Sequence, residues 1–183
     1  MTKLWGIGLS KTGLVSLMGY LKGYHKKNIR KYPNPRHYDM PEFDGFLDLP
    51  VVARWRELDE RFPDSKWILT ERNLDDWYRS ITKWYMNRIL DENNTDALTK
   101  QWRQEVFGVV NPNPINTDFI ELYHRHYSDV VNHFPEDKLL VINICDGDTP
   151  ERLCEFLGLP WKGEKFPHLH KTTDDFDKTR DNL

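Results

Sequence analysis

The sequence predicts an α/β fold: a three-layer α/β/α arrangement with a central parallel sheet of about four to five strands. Two stretches and one pattern carry this reading. In "KLWGIGLSKTGLVSLMGYL", residues 3–21, a short apolar run enters a glycine-bounded loop and leaves as a helical pattern. In "SKWILTERNLDDWYRSITKWYMNRIL" an apolar strand again turns directly into an amphipathic helix. Strand and helix patterns then alternate along the chain, which calls for parallel strands joined by crossover helices.

The elements follow in order. Residues 3–7 read as a buried strand and 14–22 as a helix, with Leu14, Leu17, Met18 and Leu21 at three- and four-residue steps. The stretch 23–42 is basic and rich in Tyr, His and Pro, without helical or alternating period, and reads mostly as loop. "FDGFLDLP" reads as a short strand ending at Asp48, and Pro50 opens a helix carrying Val51, Trp55, Leu58 and Phe62 on one face. Residues 66–71 form the next strand. Asn73 is a good N-cap, Asp75 and Asp76 suit the first turn of a helix, and Trp77, Ile81, Trp84 and Tyr85 mark its buried face. A helix near 95–107, the turn cluster "NPNPIN", a helix over 117–133, the strand "KLLVINI" and a helix ending at Gly158 complete the pattern.

The chain has 183 residues, 38% hydrophobic and 13% aromatic, enough for one core; a single domain over 1–183 is expected, with 173–183 a loose polar tail. A net charge of −3 gives no global reason to bind nucleic acid. Neither a signal-peptide pattern nor a run long enough for a membrane span is seen, and Cys145 and Cys154 read as reduced thiols, so the cytosol is the expected compartment. His124 and His126 lie two apart on a helix and do not share a face, and His168 and His170 offer only two ligands, so no metal is expected.

In a doubly wound parallel sheet, ligands sit outside the carboxyl ends of the strands. Four loops leave such ends with chemical groups: 8–13, Asp48, Arg72, and 146–148. They are expected to converge. A glycine-rich loop before a helix presents backbone N–H groups to phosphate or sulfate, and the helix start adds partial positive charge. Lys11 adds a full charge. A nucleotide hydrolase or kinase needs lysine straight after the last glycine and then Ser or Thr for magnesium; Leu14 and Val15 follow Gly13 instead. An ordinary βα turn with a solvated lysine is the plain alternative for this loop.

The stretch "GLSKTGLVSL" resembles the 5′-phosphosulfate-binding loop of sulfotransferases, written Gly-x-x-(Lys/Arg)-Thr-Gly-Thr-Thr-Ser-Leu in one branch. "DLPVVARWRELDERFPDSKWILTERNLDDWYRSI" is similar to that branch's next segment, in which Arg72 and Ser80 keep the spacing of the family's 3′-phosphate-binding pair. "FPEDKLLVINICDGDTPERLCEFLGLP" and "FPHLHKT" resemble its C-terminal blocks. The resemblance implies a P-loop nucleoside triphosphate hydrolase-like fold and the donor 3′-phosphoadenosine 5′-phosphosulfate, with no metal required. It assigns the donor to Ser10, Lys11, Thr12, Gly13, Leu14, Val15, Ser16, Arg72 and Ser80.

As the resemblance further implies, Lys11 stabilises the leaving phosphate, and Asp48, at the family's Asp-x-Pro position, takes the acceptor's proton; His25 is the alternative base, and a helix cap the alternative role for Asp48. The chain departs from the pattern where Leu14 and Val15 replace two threonines, removing two hydroxyls while leaving the backbone amides. The family's Arg-Lys-Gly loop is also missing, with Lys171 a weak substitute. Without the resemblance, Arg72 would pair with Asp75 or Asp76, and Ser80 would bond back to its own helix. The acceptor is a small molecule or carbohydrate, with a sugar, a phenol and a lipid alcohol all open, its pocket lined by 24–42 and 86–118. A non-catalytic nucleotide-binding module is the alternative function, and a P-loop kinase a more distant one. Oligomeric state cannot be read from the chain.

Overall fold

The computed structural model describes residues 2–89 and 96–169. Five strands, β1 Leu4–Gly6, β2 Ile29–Lys31, β3 Gly45–Leu47, β4 Lys66–Thr70 and β5 Leu139–Ile142, form one sheet in the order β2-β3-β1-β4-β5. Every pairing is parallel, with Trp5 of β1 lying between Phe46 of β3 and Trp67 of β4. The helices are α1 Leu14–His25, α2 Leu49–Arg61, α3 Leu74–Ile89, α4 Ala97–Phe107, α5 Phe119–His133 and α6 Pro150–Leu157. The expectation of an α/β fold with a central parallel sheet of four to five strands and helices on both faces is met.

The two-residue period of the strands distributes the core. Leu4, Leu47, Ile68, Leu140 and Ile142 face α1 and α6, where they meet Leu14, Leu17, Leu21 and Leu153. Trp5, Phe46, Trp67 and Leu69 face the other way, onto Trp55 and Leu58 of α2 and Val130 of α5. Because both faces are covered, the strands read as continuous apolar runs instead of alternating ones. A third cluster unites Leu9 and Leu49 with Trp77, Ile81 and Trp84 of α3, Trp102 of α4 and Phe119 of α5. Since Leu9 follows β1 and Leu49 follows β3, this cluster lies at the carboxyl edge of the sheet. Trp77 and Trp84 are buried in it.

One strand was not expected. β2 lies inside the stretch read as loop, contributing only Ile29 to the core. Three residues with one buried side chain carry too little period to be recognised, and the pairing with β3 is what makes them a strand. The chain starts in the middle of the sheet, moves outward to β2, returns through β3, and crosses β1 to reach β4 and β5. That reversal about β1 puts the topological switch at the loop that follows it.

Candidate active site

The loop after β1 is built around two glycines. A Cβ on Gly8 would lie 2.0 Å from Thr70 Oγ1 and 2.7 Å from the Thr70 carbonyl oxygen, so only glycine lets β1 leave alongside the end of β4. Gly13 has φ 102°, and a Cβ there would meet Ile144 at 3.2 Å. Between them, Lys11 is held at φ 76°, in the left-handed region a non-glycine residue seldom adopts. Such conformations persist only when neighbours enforce them. Three neighbours do so here. Arg72 donates Nη1–H to the Lys11 carbonyl at 3.2 Å, Trp77 donates its indole N–H to the Ser10 carbonyl at 3.0 Å, and Thr12 Oγ1 donates to the Leu9 carbonyl at 2.6 Å. A hydroxyl has one proton, so in the 2.6 Å contact between Thr12 and Thr70, Thr70 is the donor.

The loop opens into α1, whose first helical bond runs from Leu17 N–H to the Gly13 carbonyl at 3.0 Å. The amides of Leu14, Val15 and Ser16 therefore have no acceptor within the helix. No side chain caps α1, and no acidic residue occupies its first turn. The Ser16 hydroxyl accepts from the Leu169 amide at 3.4 Å, which brings the segment 166–169 against α1. Leu14 does not present its side chain to the loop: it is 3% exposed and packs in the core with Leu47 and Ile68. Val15 is half-buried against the same core. At position 14 only the backbone amide can meet an anion.

Arg72 follows β4 and is tied down at its backbone. Tyr123 of α5 donates its hydroxyl to the Arg72 carbonyl at 2.8 Å and accepts from the Arg72 amide at 3.2 Å. Burial raises the Tyr123 pKa, so the hydroxyl stays a donor. Tyr127, stacked on Tyr123 at 4.1 Å, donates to the Thr70 carbonyl, and His126 donates Nε2–H to the Ile7 carbonyl at 2.7 Å. Burial lowers the His126 pKa, keeping that ring neutral. The guanidinium of Arg72 enters no ion pair among the described residues, and its Nε is buried with no hydrogen-bond partner. Of the two expected competitors, Asp75 and Asp76, Asp76 pairs with Arg79 instead. Ser80 is buried on the α3 face that also carries Trp77.

Asp48, after β3, lies in an unusual conformation, φ 78° and ψ −161°, a region almost reserved for glycine. The residue is 3% exposed. Oδ1 accepts from the Ser10 hydroxyl at 3.0 Å and the Leu49 amide at 2.9 Å, while Oδ2 faces Lys31 Nζ at 3.4 Å. Asp48 thus caps α2 and also ties the loop of β1 to the end of β2. The fourth loop joins through Asp146, which accepts from the Asn73 amide at 2.8 Å. Asn73 caps α3 as expected, accepting from the Asp75 and Asp76 amides. All four loops converge.

Two expectations change. His25 closes α1 at the opposite edge of the sheet, contacting Cys154 Sγ at 3.5 Å and the Tyr20 ring. Twelve residues of α1 at about 1.5 Å rise each separate it from the loop, so it is not an alternative base at this site. Asp146 and Asp148 are joint-forming residues: both accept from Asn143, whose amide and side chain lock the turn after β5. Lys171 and His170 lie outside the described residues. Lys31, Tyr123 and Tyr127 were not anticipated. The tyrosines carry the helical spacing of an ordinary core face, and nothing in that spacing tells a core phenol from one bonded to a loop. Cys145 sits beside Gly13, its thiol pushed up by burial against the pull of Arg72 and Lys11. Among the described residues no cluster of three or more His, Cys, Asp or Glu could hold a metal, and no helix is long and apolar enough to cross a membrane.

Known proteins share the fold and much of the sequence pattern. Among solved structures, a sulfotransferase from Alicyclobacillus acidocaldarius shares the fold with a TM-score of 0.55 at 15% identity, over 96% of this chain and 87% of that one. The Ava biosynthesis cluster protein M of Aspergillus versicolor is 24% identical over 143 residues, which are 70% of this chain and 54% of the relative. The chain thus spans about half the length of that curated relative. A family model described as "Sulfotransferase domain" matches residues 36–174, a span that includes Asp48, Arg72 and Ser80 but begins after the loop at 8–13. With most of its length matched by that family and its fold shared with a solved member, the chain belongs to the sulfotransferase family.

Proposed function

We propose that the protein transfers a sulfuryl group from 3′-phosphoadenosine 5′-phosphosulfate to a hydroxyl or amine of a small-molecule or carbohydrate acceptor, in the cytosol and without a metal. The observation that carries this reading is Arg72: a guanidinium without an ion pair among the described residues, its Nε buried and unbonded, its backbone fixed by Tyr123 beside an uncapped helix start. Such a group fits a phosphate. Ser80 would meet the same 3′-phosphate from α3. The amides from Thr12 to Ser16, with Lys11, would hold the 5′ side and stabilise the charge that develops there.

The donor brings an activated sulfuryl group. Transfer breaks its bond to the 5′-phosphate oxygen and forms one to the acceptor oxygen or nitrogen, and the acceptor's proton leaves to a base. Asp48 would take that proton through Oδ2, since Oδ1 already accepts from Ser10 and Leu49. A donor-binding module without turnover is the second reading. It is favoured by the capping bond that already occupies Asp48.

Calorimetry without magnesium tests the donor. 3′-Phosphoadenosine 5′-phosphate should bind more tightly than ADP or ATP, and equal affinities would defeat the assignment. Arg72→Ala should weaken binding by about 10- to 150-fold, the effect of one charge-assisted contact worth about 1.5–3 kcal/mol. The buried position of Leu14 yields a separate expectation: Leu14→Thr should not tighten the donor and should lower stability by about 2 kcal/mol, because a hydroxyl replaces a buried isobutyl group. A thermal melt paired with the same titration reads both effects.

A further inference from the structure

The aromatic layer at the carboxyl edge holds a cation that the donor site does not use. Arg103 of α4 is 6% exposed, its Nε is buried without a hydrogen-bond partner, and among the described residues it enters no ion pair. Its recorded contact is the ring of Tyr85, 5.8 Å from the guanidinium carbon. A single cation–π contact does not offset the cost of taking a charge out of water. The nearest acid in sequence, Glu105, is engaged by Arg54 of α2 at 3.3 Å, and residues two apart on a helix point in different directions. Tyr85, Trp102 and Phe107 belong to the cluster that also contains Leu9 and Leu49, the neighbours of Ser10 and Asp48. Apolar and aromatic side chains therefore run from the candidate base to this guanidinium.

The geometry points to an acceptor that carries its own anion: Arg103 is the specificity residue that binds a carboxylate on the acceptor, through the planar fork that matches two carboxylate oxygens. A hydroxylated acid would lay its apolar body along the aromatic layer with its hydroxyl toward Asp48. This rests on the sulfuryl-transfer reading for the meaning of "acceptor". It does not rest on it for the presence of an anion site.

The test uses 4-hydroxyphenylacetate and its methyl ester as probes, titrated into the full chain and into Arg103→Met, with and without 3′-phosphoadenosine 5′-phosphate. The acid should bind wild type at least about 10-fold more tightly than the ester, and Arg103→Met should erase that difference. Without ligand, Arg103→Met should melt at a higher temperature than wild type, because an apolar side chain of similar length replaces a buried charge that enters no ion pair among the described residues. Equal binding of acid and ester would overturn the proposal, as would a lower melting temperature for Arg103→Met, which would make the guanidinium a support of the fold. Nucleotide affinity unchanged by Arg103→Met supports the acceptor assignment. A fall in nucleotide affinity would place the anion on the donor and overturn it. If wild type binds no nucleotide, the donor reading fails while the acid–ester difference still reports on Arg103.

Discussion

Asp48→Asn should reduce single-turnover sulfuryl transfer by about 10²- to 10⁴-fold, the usual contribution of a general base, while donor affinity stays nearly unchanged. The substitution is well suited to the site. Asparagine has the size and shape of aspartate, so it adds no backbone strain beyond what Asp48 already bears, and its carbonyl oxygen can still accept from Ser10 and Leu49, so the cap and the loop contact survive. What is lost is the ionised oxygen facing Lys31 at 3.4 Å. Lys31→Met separates the two roles, because it removes the ion pair and leaves the carboxylate in place. If Asp48 is the base, Lys31→Met should retain far more turnover than Asp48→Asn. Should Asp48→Asn keep turnover within about threefold of wild type, far below the range for a general base, Asp48 is a helix cap and hinge between β1 and β2 only. His25 would not then inherit the role, since it lies at the other end of α1.

Gly8→Ala should destabilise the protein by roughly 3 kcal/mol or more, lowering the melting temperature by about 6–12 °C for a chain of this size. The added methyl would overlap Thr70 Oγ1, the Thr70 carbonyl and Thr12 Oγ1, at 2.0, 2.7 and 2.8 Å. A flexible side chain can move aside, but the carbonyl is part of β4 and also accepts from Tyr127. Relief would come from displacing the loop, so donor affinity should fall together with stability. Differential scanning calorimetry and nucleotide titration of the variant check both. A melting temperature within about 2 °C of wild type would show that the loop and β4 separate more readily than this packing implies.

The meeting of the four loops at one edge of the sheet was legible in the sequence. Glycines at 8 and 13 flanking a lysine, Asn73 ahead of two aspartates, and Arg72 eight residues before Ser80 are local arrangements, and local arrangements are written in consecutive residues. The competition between readings was not legible. Whether Arg72 pairs with Asp76 or turns to the Lys11 carbonyl depends on Arg79 reaching Asp76 and on Tyr123 fixing the Arg72 backbone from a helix 51 residues away. Lys31 escaped notice because a three-residue strand with one buried side chain has no period of its own.

The sequence by itself determined the alternation of strands and helices, the glycine-bounded form of the first loop and the absence of a magnesium-type motif in it, because each follows from side-chain type, spacing and backbone freedom within one short stretch of chain. Tertiary structure decided the rest. Parallel pairing brought the ends of β1, β3, β4 and β5 to one edge, turned Leu14 into the core and away from the loop, held Asp48 in a glycine-like conformation between Ser10 and Lys31, and carried His25 out of reach. The physical reason is that a side chain's charge and shape are local, whereas burial, strain and partner choice are set by contacts between residues far apart in the chain.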